Sequence, residues 1–103
     1  MFTTQIEAGA AWLDSIFEDV AWYRKIDIPS LDMSKSEDCI LGQLIGNFYV
    51  VINKYGLTPQ RATDLGFLTY CGVCWIDNKM KYREDILRSE WVQYINKRIS
   101  EER

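Results

Sequence analysis

The chain has no histidine, only two prolines, three cysteines and no excess of basic residues. Without histidine, neither a Ser-His-Asp nor a Cys-His arrangement can exist within one chain, which removes the common routes to nucleophilic catalysis. Three cysteines, an odd number, fit a reducing compartment better than a disulfide scaffold. No run approaches the ~18–20 unbroken apolar residues of a membrane span. The amino-terminal MFTTQIEAGAAWLDS carries an early Glu and no basic stretch, so it reads as no secretory signal, and a cytoplasmic setting is expected. With a net charge of −3 and a pI near 4.9, a phosphate-binding groove is disfavoured. No Gly-rich loop resembles a phosphate cradle. The carboxylate pairs Glu18/Asp19 and Glu37/Asp38 fall at expected helix starts, where capping and the helix dipole account for them.

What the chain does have is apolar substance. Its 103 residues allow one domain, residues 1–103, and 48% of them are hydrophobic, including four Trp, six Tyr and four Phe. That is enough for a packed core without disulfides, metal or a cofactor. Charge is uneven. Residues 1–38 carry eight carboxylates against three bases, and residues 79–103 seven bases against five acids. One reading is solvated helix faces. The other is an acidic amino-terminal face that steers toward a basic protein partner.

Along the chain, Thr4 and Glu7 form a capping box that predicts a helix from about residue 5, with Ile6, Ala10, Leu13 and Phe17 as its apolar stripe. Asp19 is placed to cap a short helix over Val20 to Ile26. Pro29 disfavours helix around Ile28, so 27–33 is expected to be extended or turn-like. Ser34 or Ser36 is expected to start a long buried helix over about 37–55, with Leu41, Leu44, Ile45, Phe48, Ile52 and Tyr55 at helical spacing. Gly56 stops it. Thr58 as N-cap, Pro59 at the first position and a Leu57/Ala62 staple predict another short helix, closed by Gly66. Residues 67–76 read as a buried extended stretch, with a possible hairpin back through Met80 to Tyr82. A last helix over about 84–100 would turn Ile86, Leu87, Trp91, Tyr94 and Ile95 inward. The expected fold class is therefore mainly α, a compact three- to four-helix single domain with a short extended or hairpin element near 67–82.

Cys71-Gly-Val-Cys74 is the pattern whose spacing carries chemistry, since two thiolates so placed can reach one zinc ion or form a tight redox disulfide. With no histidine and no second C-x-x-C, it reads first as two small buried hydrophobes, leaving Cys71 and Cys74 as weak metal or thiol candidates. Gly42-x-x-x-Gly46 would let a neighbouring helix or aromatic ring approach closely. Gln43 faces the core side and can satisfy backbone groups of 27–33. The four tryptophans, Trp12, Trp22, Trp75 and Trp91, are many for a domain of this size to bury. Trp22 and Tyr23 beside Glu18, Asp19, Asp27 and Asp32 form the candidate partner-binding patch, and Trp22 closing one end of the core is the competing reading.

The segment Cys39-Ile-Leu-Gly-Gln-Leu-Ile-Gly-Asn-Phe-Tyr, followed by Gly56-Leu57 and Leu65-Gly66-Phe67, resembles small acidic proteins encoded by phages and prophages of Gram-positive bacteria. Trp22-x-x-x-Ile26-Asp27, Leu31-Asp32-Met33 and Trp91 fit the same pattern, whereas Tyr70-Cys-Gly-Val-Cys-Trp75 departs from it. That family is mostly without assigned function. The resemblance implies a phage protein acting in the cytoplasm of a bacterial host, and no active-site residues. The leading expectation is a non-enzymatic protein that binds and modulates a host or defence protein, for instance an anti-CRISPR-type inhibitor. A structural, homo-oligomeric accessory protein and a small thiol or zinc protein are the alternatives.

Overall fold

A glycine and an asparagine divide the long amphipathic segment at the centre of the chain. In the computed structural model, which describes residues 1–18, 20–69, 73–76 and 79–102 with backbone alone at 73–76 and 79, two helices replace the one expected over 37–55. Helix α2 spans Ile40–Ile45 and α3 spans Phe48–Tyr55. Gly46, at φ +118°, ends the first, and the side chain of Asn47 caps the second by accepting the Tyr49 amide at 2.8 Å. Neither Ser34 nor Ser36 caps α2. That position belongs to Cys39, whose thiol accepts the Gly42 amide at 3.3 Å. Gly42 does permit a close approach, but by the Ser36–Glu37 backbone, which a β-carbon would overlap.

Helix α1 spans Thr3–Ile16 and buries Ile6, Gly9, Ala10 and Leu13. It starts two residues before the expected position, without the Thr4/Glu7 box. Glu90 of helix α5, Arg83–Glu101, caps it instead, accepting the Phe2 amide at 2.8 Å and pairing with the Met1 ammonium at 3.2 Å. A carboxylate beside the orphan amides of a helix start is favoured by hydrogen bonding and by the dipole together. Two 3₁₀ turns, Trp22–Arg24 and Ile28–Ser30, stand where a short helix over 20–26 and an extended or turn-like stretch over 27–33 were expected, so the second keeps the turn-like form. Pro29 fits the second because its fixed φ suits the first turn of a helix.

The following signals agree with the structure. Thr58 caps α4 (Pro59–Asp64), accepting the Arg61 amide at 3.0 Å, and Leu57 and Ala62 are both buried. Gly66 takes a left-handed φ of +74° just beyond it, and the Phe67 amide bonds back to the Ala62 carbonyl. Strand β1 (Val73–Ile76) then pairs antiparallel with β2 (Lys79–Tyr82), Val73 opposite Tyr82 and Ile76 opposite Lys79. The molecule is mainly helical, with five helices among the described residues because the central one is split.

One hydrophobic cluster joins the five helices and the two 3₁₀ turns. Trp91 of α5 lies at its middle, stacked on Phe67 (ring centroids 5.8 Å apart, 7° between planes) and meeting Trp22 edge-on at 6.2 Å. Its indole N–H donates to the Gly66 carbonyl at 2.7 Å, so the buried polar atom is satisfied. Gly9 lets α1 sit directly against the Leu65 carbonyl, which a β-carbon at that position would overlap. Helix propensity favours Gly9→Ala, but backbone overlap opposes it, and overlap should win. The variant is expected to lose about 1–3 kcal/mol, read as a lower unfolding midpoint. The exposed neighbour Ala8→Gly should cost under about 1 kcal/mol; a stabilised Gly9→Ala would refute the close approach.

Candidate functional site

Trp22 and Tyr23 do not form an exposed aromatic patch. Both are buried, Trp22 completely, so the competing reading of an end-cap to the core is the correct one. The cause is that α1 and α5 together supply partners for them. Trp22 donates its indole N–H to Asp14 at 2.9 Å, and Arg98 holds the same carboxylate with both terminal nitrogens at 3.1 and 3.2 Å. The Arg98 guanidinium also lies over the Tyr23 ring, 4.6 Å from its centroid, and donates to the Tyr94 hydroxyl at 2.9 Å.

The remaining acids of the expected patch are dispersed. Asp27 accepts from the Ser30 hydroxyl at 2.5 Å, and its backbone is held by Gln43, which accepts the Asp27 amide at 2.6 Å and donates to the Asp27 and Asp38 carbonyls at 3.1 Å. Gln43 therefore has the bracing role read from its sequence position. Asp32 accepts from the Ser34 hydroxyl and amide at 2.6 and 2.9 Å, which hold its carboxyl below the ordinary range. Glu18 is exposed on a recess of about 370 Å³ shared with Asp14, Phe17, Val20, Tyr23, Arg98 and Glu102. Two of that rim's carboxylates are committed, Asp14 to Arg98 and Glu102 to Arg24 at 2.7 Å. Asp19 lies outside the described residues, as does Cys71, and of Cys74 only the backbone is described.

The Asp14–Arg98 pair joins the acidic amino-terminal region to the basic carboxy-terminal one. Arg88 adds to it, donating to the Leu31 and Ile28 carbonyls at 2.7 and 2.8 Å and fastening the second 3₁₀ turn to α5. Sequence reasoning missed Arg88, Glu90 and Arg98 by treating α5 charges as solvent-facing. Their spacing carried a signal: Arg88 precedes Trp91 by three residues, and Arg98 follows Tyr94 by four, so both flank the inward stripe. Cys39 is equally committed. Burial pushes its thiol up, and it also donates to the Ser36 carbonyl at 3.8 Å, which makes it a packing and capping group.

The unspent surface lies elsewhere. Met80 and Tyr82 of β2 are 58% and 57% exposed, and they border a groove of about 440 Å³ whose other wall is Asp85, Ile86, Ser89 and Glu90 of α5. Three consecutive residues of β2 line it, so the groove runs along the strand. The sheet has two strands among the described residues, leaving β2 with one unpaired edge. Among the described residues, no backbone hydrogen bond outside the hairpin engages Met80, Lys81 or Tyr82. Tyr49 and Val50 on α3 are also exposed, and Tyr49 borders a cleft of only about 90 Å³.

Among the described residues, no group of three or more His, Cys, Asp or Glu side chains is placed to hold a metal ion, and no helix is long and apolar enough to cross a membrane. The chain matches no protein-family model, no curated protein and no solved structure.

Asp14 should make the Trp22 end-cap acid-sensitive. Burial raises its pKa, but hydrogen bonds from Arg98 and Trp22 and the guanidinium charge outweigh that and hold it below 3.8. A carboxyl depressed in the folded state contributes stability in full above its ordinary pKa and loses it as pH falls through the lower folded value. Wild type should therefore exceed Asp14→Asn in stability at pH 7, with the gap closing at acid pH below 3.8. Asp14→Ala, which orphans the indole N–H, should cost about 1–3 kcal/mol at pH 7 by denaturant unfolding.

Proposed function

We propose that this chain is a non-enzymatic binding protein that acts by docking on another protein, and that the groove between β2 and the start of α5 is its docking surface. The observation that carries this reading is the pairing of exposed Met80 and Tyr82 with an open strand edge beside a groove of that size. Exposed apolar side chains gathered at a groove mark interaction sites, and a free strand edge adds directional hydrogen bonding. Among the described residues, the indole nitrogens of Trp22 and Trp91 are hydrogen-bonded and Cys39 is a helix cap, so these groups are committed to the fold. The recess at Glu18 is the surface a basic partner would meet. It is the weaker site because Asp14 and Glu102 on its rim already have cationic partners.

The resemblance of residues 39–67 to phage and prophage proteins supplies the setting: a phage protein in the cytoplasm of a Gram-positive host, modulating a host or defence protein. An inhibitor of anti-CRISPR type is one form this would take. A photo-crosslinking amino acid at Tyr82, expressed in such a host, should trap a specific protein, and Met80→Asp should reduce the adduct at least tenfold. Glu18→Lys should leave it unchanged. A specific adduct from position 18 with none from position 82 would overturn the assignment of the groove, and specific adducts from neither would overturn the binding function.

A further inference from the structure

Resting on that docking reading, we infer that the occupant of the groove is an extended segment of the partner, rich in alternating acidic and apolar residues, which adds as a third strand to the free edge of β2. The strand reads Lys79-Met80-Lys81-Tyr82, with charge and apolar bulk alternating at the period of a strand. An incoming strand that keeps its apolar positions against Met80 and Tyr82 brings its intervening positions level with the lysines. Carboxylates there form favourable cross-strand pairs, and bases form unfavourable ones.

The same arithmetic rejects a second copy of this chain. Antiparallel self-pairing centred on Met80 sets Lys79 against Lys81 twice. A one-residue slip that separates the lysines instead sets them against Met80 and Tyr82, mixing charge and apolar surface on both faces. Lysine on an open edge also discourages indiscriminate pairing, so what this edge admits is an acidic strand. On the helix side Glu90 is already occupied by Phe2 and Met1, and Asp85 is solvent-exposed. Backbone pairing supplies much of the affinity in such complexes, and alternate side chains supply the choice of partner.

The test uses the full chain, ¹⁵N-labelled, and two end-blocked octapeptides, one alternating Val with Glu and one alternating Val with Lys. The Glu peptide should shift the backbone amides of residues 79–82 and slow their exchange, and should bind at least tenfold more tightly than the Lys peptide. Lys81→Glu should reverse that order, and N-methylation of alternate peptide nitrogens should abolish binding. Equal binding of the two peptides, shifts confined to other elements, or no binding at millimolar peptide would overturn strand addition. If position 82 still crosslinks a cellular protein in those cases, docking at the groove stands and only this occupant is wrong. If that also fails, both readings fall.

Discussion

The stacked and hydrogen-bonded Trp91 is the constraint on which the rest of the molecule depends. Its ring lies flat on Phe67 and edge-on to Trp22, and its N–H reaches the Gly66 carbonyl at 2.7 Å. That carbonyl is available because Gly66 turns left-handed after α4, and the neighbouring Leu65 carbonyl can press against α1 because residue 9 has no β-carbon. Two glycines and one indole therefore bring α1, α4 and α5 to a common point. An aromatic cluster of this kind contributes by burial and ring geometry together.

Around that point, α5 works as a clamp. Glu90 closes the start of α1, Arg88 holds the second 3₁₀ turn, and Arg98 fastens Asp14, Tyr23 and Tyr94. The acidic amino-terminal region and the basic carboxy-terminal region meet within the chain. Charge that suggested steering toward a partner is partly consumed in closing the fold. Met80 and Tyr82 on β2, by contrast, remain exposed.

Local chemistry made several elements legible in the sequence. The Thr58-Pro59 start, the Leu57/Ala62 staple, the Gly66 stop and the α5 stripe each rest on one or two turns of chain, and each stands as expected. The bracing role of Gln43 was also readable, because a polar side chain on a core-facing helix position must find backbone partners. Gly46-Asn47 was a stop followed by a cap, but the apolar spacing from Leu41 to Ile52 ran smoothly across it and concealed the break. Glu90 capping α1 could not be read locally, since the two residues are 88 apart. Burial of Trp22 likewise depended on Asp14 and Arg98, which only the tertiary fold brings together. The proposed docking surface was legible only as a possible hairpin, because strand-edge exposure is a property of what packs nearby.

Contact through the open edge of β2 is the proposed mode of action. Hydrogen–deuterium exchange of the full chain, free and in complex with its captured cellular partner, tests this most directly. New protection is expected over residues 79–90, with 13–23 unchanged. Protection gathered at 13–23, with the hairpin exchanging as in the free protein, would contradict it.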